Sequence, residues 1–164
     1  MRPAICWFRR DLRLTDNPAL SAAAHQGRPV VAVYIHSPEE AGEWAEGAAS
    51  RWWLHHSLEA LAAALNAHGI ALQIRRGPTF EVLQTVIRQT DAEAIHWNRL
   101  YDPAMIERDQ RIKAQLRADG LTVKSHNAAL LREPWTIETG TGGPYRAFTP
   151  FWRAAQRDFT PAQP

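Results

Sequence analysis

Cysteine is nearly absent from this chain: Cys6 is the single one among 164 residues. That excludes an internal disulfide and a thiolate zinc cluster. Cys6 lies inside the apolar run Ala4-Ile5-Cys6-Trp7-Phe8, where a buried structural thiol is the expected reading. Long apolar runs are missing too, and none approaches the ~20 residues that cross a bilayer. The run after Met1-Arg2-Pro3 is too short and wrongly flanked for a signal peptide. A cytoplasmic protein without a membrane partner is expected. Excess charge is small, +2 from 19 basic and 17 acidic residues. So weak a field does not mark the chain alone as a nucleic-acid binder. Glycine-rich phosphate loops are absent, both G-x-G-x-x-G and G-x-x-x-x-G-K-[ST]. That disfavours a dinucleotide on a glycine turn or ATP on a P-loop. No two of the seven His stand four apart, and adjacent His55 and His56 would point in different directions from a helix. No metal site is expected.

What remains is an ordinary globular balance, 45% hydrophobic and 22% charged, at a length suited to one domain. Nearly all the cations are Arg, 17 of 19, which makes directed bidentate contacts that Lys cannot. Short β-type runs alternate with helical stretches. Ala4–Phe8 reads as the first strand. Asn17-Pro18 opens a helix to about Gln26, with an Asn cap, Pro in the first turn and Gly27 beyond. Val30–Ile35 is a β-branched run of the kind covered on both faces. Ser50 caps a helix to about His68, in which Trp53, Leu54, Leu58, Leu61 and Leu65 follow helical spacing. Ile70–Ile74 is the third strand, residues 79–89 a helix, Ala94–Trp97 the fourth strand, Pro103–Ala118 a helix and Leu121–His126 the fifth strand.

Five strands separated by helices imply an α/β, Rossmann-like fold. It has a five-stranded parallel sheet with helices on both faces and right-handed crossovers. The expected strand order is 3-2-1-4-5. Residues 1–130 form that domain. In 131–164 the rhythm stops at the loop Glu138–Pro144, a helix covers Thr149 to about Asp158, and Thr160–Pro164 reads as a linker. The chain is expected to be cut from something longer.

In open α/β sheets ligands bind beyond the carboxyl ends of strands, where the strand order reverses. Here that lies between strands one and four. The unusual residues stand there: Arg9-Arg10-Asp11-Leu12-Arg13-Leu14-Thr15-Asp16-Asn17 after strand one, and Asn98-Arg99-Leu100-Tyr101-Asp102-Pro103 after strand four. One reading of these charges is an ion-paired loop in which Arg10 and Arg13 bridge to Asp11, Asp16 or later residues. The other is an electropositive lip over a slot for a flat or anionic ligand. Both can hold for different side chains.

The same stretches carry a resemblance. Trp7–Leu20 is similar to the opening of DNA photolyases and cryptochromes. Trp97–Pro103, with Arg108-Asp109, resembles their fourth-strand segment, and Gly143–Trp152 resembles the way out of their first domain. The likeness runs from Ala4 to about Arg157. It implies an amino-terminal domain that holds a light-harvesting antenna chromophore. Excitation then passes by dipole coupling to FAD in a larger helical domain of the same parent chain. The parent, a carbon–carbon lyase, repairs pyrimidine dimers in DNA by light-driven electron transfer. DNA is met only through the missing domain, and the fragment alone is expected to be inactive.

By position, the resemblance assigns the antenna pocket to Phe8 and Arg9, to Tyr34, Ile35 and His36, to Ser50 and Arg51, and to Asn98, Leu100, Tyr101 and Asp102. Arg51 stands out, since it falls in the first turn of a helix, where an anionic edge is favoured. The alternative is a surface Arg paired with Glu43 or Glu46. Folate-binding relatives carry an Asn-Glu pair where Ala104-Met105 stands here. A deazaflavin or flavin is therefore ranked above a folate, although the acidic residue usual for deazaflavin is replaced by Leu100; an empty pocket is the remaining outcome. Other readings stay open: a cryptochrome photoreceptor domain, a nucleotide-binding module of the universal-stress type, or a domain with a vestigial pocket. One of Trp52 and Trp53 is expected to face the sheet, Trp44 to sit in a loop able to fold over the pocket, and Phe148, Phe151 and Trp152 to form an exposed apolar patch.

Overall fold

The computed structural model describes residues 1–157 and 159, with backbone only at 26, 41, 43 and 44. The Thr160–Pro164 linker, the helix end at Asp158 and the Trp44 side chain lie outside the described residues. The chain divides into two compact units, Met1–Ala128 and Ala129–Pro164.

In the first unit, strands β1 (Ala4–Phe8), β2 (Val30–His36), β3 (Leu72–Arg76), β4 (Ala94–Asn98) and β5 (Thr122–His126) alternate with helices α1 (Pro18–Ala23), α2 (Ala48–Asn66), α3 (Thr79–Thr90) and α4 (Pro103–Ala118). The sheet is parallel throughout, in the order β3-β2-β1-β4-β5, as expected. β1 and β4 are buried along their whole length, because helices cover both faces. Alternation along β1 sorts its side chains. Ile5 and Trp7 join Val33, Ile95 and Trp97 in the larger core, with Leu83 and Val86 of α3 and Ile112 and Leu116 of α4. Ala4, Cys6 and Phe8 join Ala19 and Ala23 of α1 and Leu61 and Leu65 of α2. Burial pushes the Cys6 thiol far above its ordinary pKa, so it is an inert packing group.

Several boundaries differ from the sequence expectation, each for a local reason. α1 stops at Ala23, and one tight turn over His25–Gly27 follows. α2 begins three residues earlier than Ser50 suggests, with Gly47 at the cap; Ser50 lies inside the helix. β3 starts at Leu72 because the Ile70 N–H closes the end of α2 on the Leu65 carbonyl at 3.0 Å. Both Trp52 and Trp53 are exposed, at 63% and 69%. The stripe of α2 that meets the sheet is Leu58, Leu61 and Leu65, and Trp52 and Trp53 fall off it by helical rotation.

The second unit holds a helix α5 (Phe148–Gln156). Phe148, Phe151 and Trp152 are exposed, as expected, and Phe148 stacks on Trp152 with ring centroids 6.0 Å apart. Among the described residues no helix is long and apolar enough to cross a membrane.

Candidate functional site

The strand-order reversal between β1 and β4 brings the two charged turns to one rim of the sheet. Arg9 donates to the Asp109 carboxylate of α4 and to the Asn98 carbonyl at the end of β4. Burial pulls the Arg9 guanidinium below its ordinary pKa, and Asp109 opposes that shift. The ion pairing continues outward. Arg108 donates to Asp109 at 2.8 Å and to Glu40 at 3.2 Å. Glu40 in turn accepts from the Thr79 N–H at 2.6 Å and the Thr79 hydroxyl at 2.7 Å. The start of α3 is thereby occupied by a protein carboxylate, the charge its dipole favours. Trp7 has Arg9 4.8 Å from its ring and Arg108 at 5.3 Å.

Asn98 is a rivet. Its Nδ2 donates to Asp11 at 2.5 Å and to the Asn17 side-chain oxygen at 2.8 Å, while its Oδ1 accepts from the Ala19 N–H at 3.1 Å. Asn17 also caps α1, accepting from the Leu20 N–H at 3.1 Å.

Above this rim opens a cavity of about 870 Å³, within the range of cofactor sites. Of the residues assigned by position, Arg9, Tyr34, Ile35, His36, Ser50, Arg51 and Leu100 line it. The other four do not. Phe8 is buried in the small core under α1 and α2, since alternation turns it away from Trp7. Asn98 is enclosed in its network at 3% exposure. Tyr101 donates its hydroxyl to the Asn127 side chain at 3.1 Å. Asp102 pairs with Arg10 at 3.0 Å across the rim. The universal-stress alternative gains nothing here, because no glycine-bearing loop follows β4.

The walls combine flat or apolar groups with cations. Trp7, Tyr34 and Trp53 are among the aromatic members, and Ile35, Leu54, Leu100 and Met105 among the aliphatic ones. Burial, with the Glu46 carboxylate second, pushes the Tyr34 phenol up to about 12, so it stays a hydroxyl donor. Arg51 lines the cavity and donates to the Glu46 carbonyl at 2.5 Å; the alternative partner Glu43 lies outside the described side chains. Arg10 is tied to Asp102, and Arg13 donates to the carbonyls of Asp16 at 2.8 Å and Ala128 at 3.0 Å. Arg10 and Arg13 thus brace the rim, as the ion-paired reading of the charged turns expects, and both also line the cavity.

Trp53, Met105, Arg108 and Glu46 line the cavity but were not among the expected site residues. Arg108 had a visible signal in its neighbour. Asp109, Ile112 and Leu116 fall at helical spacing on the buried stripe of α4, and a carboxylate on such a stripe demands a partner.

The sequence model of one protein family, described as DNA photolyase, matches residues 4–164. A deoxyribodipyrimidine photo-lyase from Agrobacterium fabrum is 47% identical over 162 residues, covering 99% of this chain and 33% of the relative. Cryptochrome-1 of Arabidopsis thaliana is 43% identical over 163 residues, covering 98% of this chain and 24% of that protein. The chain thus spans a third or less of the length of these relatives. Among solved structures, a bacterial class III photolyase from Agrobacterium tumefaciens superposes with a TM-score of 0.86 at 45% identity, over 98% of this chain and 33% of the other. A Synechocystis cryptochrome shares the fold with a TM-score of 0.85 at 23% identity, over 99% of this chain and 35% of the other.

Proposed function

The chain belongs to the DNA photolyase family, and from that premise we propose that it is the amino-terminal light-harvesting domain of a cytoplasmic deoxyribodipyrimidine photolyase. The observation that carries the reading is the cavity at the strand-order reversal, walled by Tyr34 and Trp53 and rimmed by Arg10, Arg13 and Arg51. A flat polycyclic chromophore fits its volume and its aromatic walls, and an acidic tail suits its rim.

When bound, the chromophore would supply absorption of light and transfer of excitation to FAD in the remainder of the parent protein. The residues of this chain have a positioning role. Tyr34 and Trp53 would sandwich or flank the ring. Arg51 would hold an anionic group near the start of α2. Leu54, Leu100 and Met105 would exclude water. Rigid placement matters because dipole coupling depends on distance and on the angle between transition moments. The ion chain from Arg9 to Glu40 would fix the floor on which the ring lies.

We assign the ring to the deazaflavin or flavin class in preference to the folate class. A flavin-type dione edge presents two carbonyl acceptors, which suit donor-rich walls of Arg and Tyr hydroxyl. A pterin edge presents amine and N–H donors, and among the described cavity residues only Glu46 offers a carboxylate to accept them. FAD, the helical domain and contact with DNA are assigned to the rest of the parent chain.

The test is a titration of the purified chain with a deazaflavin, a flavin and a folate in parallel, read by quenching of Trp emission. Saturable binding of the deazaflavin or flavin, weakened by Arg51→Ala, is the expected result. Tighter folate binding would overturn the ring assignment alone. Failure of all three to bind would overturn the antenna reading.

A further inference from the structure

A separate cluster stands on the outer side of α2. His55, His56 and Glu59 are all exposed, and their ligand atoms lie within 4.8 Å of one another. Glu59 is four residues beyond His55 and three beyond His56, so its one carboxylate reaches back to both rings. His55 Nε2 lies 3.4 Å from Glu59 Oε1, and His56 Nδ1 lies 3.0 Å from Glu59 Oε2. Adjacent helical residues diverge at Cβ, as the sequence leads one to expect, but the length of the two rings lets both meet a shared third residue. None of the three lines the cavity, whose α2 contribution includes Ser50, Trp53, Leu54 and Ser57.

We propose that His55, His56 and Glu59 form a binding site for a zinc-class divalent transition ion on the solvent face of α2. Donors bound tetrahedrally to one zinc at ordinary bond lengths sit about 3.3 Å apart. Glu59 Oε1 and Oε2 stand 3.4 and 3.0 Å from His55 Nε2 and His56 Nδ1 respectively, and the three ligand atoms lie within 4.8 Å of one another, so rotation of exposed side chains is enough to bring them onto one ion. Two imidazoles and a carboxylate select zinc, copper or nickel over magnesium and calcium, which prefer oxygen donors. Trp52 packs edge-on against the His56 ring at 4.5 Å and limits its rotation. Three protein donors leave a fourth position open to water or to a group from another molecule. Among the described residues no other group of three His, Cys, Asp or Glu side chains comes together in this way.

The experiment is isothermal titration of the intact chain with zinc ion in a non-chelating buffer, with magnesium as a parallel arm. One zinc per chain is expected, with no magnesium competition. His55→Ala, His56→Ala and Glu59→Gln should each weaken binding at least tenfold, and zinc should raise Tm in the native chain but not in the triple variant. These side chains are exposed, so the variants fold without the ion, and their unchanged metal-free Tm checks this. Undiminished zinc binding by the triple variant would overturn the site, as would absence of binding by the native chain or equal affinity for magnesium.

Discussion

Arg9, just beyond β1, forms a buried ion pair with Asp109 of α4, one hundred residues away in sequence. Both side chains are nearly enclosed, at 6% and 11% exposure. The pair joins the central strand to the helix that covers it and sets the cavity floor. Removing one partner strands a charge in the interior. Asp109→Ala is expected to lower unfolding free energy by about 3–5 kcal/mol. Urea unfolding followed by Trp emission measures it. A loss below about 1 kcal/mol, the scale of a surface pair, would mean that the pair is solvated and contributes little.

Asn98 was assigned to the ligand by position, yet its side chain is spent on Asp11, Asn17 and the Ala19 N–H. Asn98→Leu should therefore act on stability first, costing on the order of 2–3 kcal/mol by leaving buried polar partners unmet. Chromophore affinity, measured at a temperature where the variant is folded, should change less than for Arg51→Ala. A variant of native stability that has lost binding would return Asn98 to the ligand.

The strand order and the rim that carries the cavity were legible because they follow from alternation of elements and from crossover handedness. The Asn17-Pro18 cap and the Pro103–Ala118 helix were legible from local chemistry. What escaped was set by parity and rotation. Phe8 and Trp7 are neighbours in sequence but occupy opposite faces. Trp53 reaches the cavity because α2 turns it off the leucine stripe. The Arg108–Glu40 bond joins residues 68 apart, and no local pattern encodes that pairing.

Arg51 should matter to binding and not to folding. It is exposed, and among the described residues its side chain makes one hydrogen bond, to the Glu46 carbonyl. Arg51→Ala is expected to weaken an acidic chromophore about tenfold, the scale of one charge-assisted contact, with Tm unchanged. Raising salt should shrink the difference between native and variant chains.

The isolated chain should not repair DNA. Mixed with FAD and dimer-containing DNA under blue light, it should leave the dimers intact, as the proposed antenna role for this domain requires. Light-dependent loss of dimers, read by a dimer-specific nuclease assay, would place part of the chemistry within this domain.

Stability should fall on mild acidification, and the responsible groups are His96 and His126. Their rings stack 5.4 Å apart, and His96 Nδ1 lies 3.1 Å from His126 Nε2. Burial first, then His126, Lys124 and Arg28, push His96 down to about 4. Burial and the nearby Arg99, Lys124 and Lys113 lower His126 as well. In the unfolded chain a His binds its proton near pH 6.5. Between about 6.5 and 4 the unfolded state therefore holds more protons, and unfolding becomes easier as pH drops. The stabilisation is full above 6.5 and is lost on the way down to 4. The full difference would be worth roughly 3 kcal/mol at about 1.4 kcal/mol per tenfold change in proton affinity, and solvent screening of the partly buried ring reduces the expected loss from His96 to on the order of 2 kcal/mol. Urea unfolding at a series of pH values should show this slope, and His96→Leu should flatten it. A slope of the opposite sign, with stability rising toward pH 5, would show that the pair takes up a proton in the folded state.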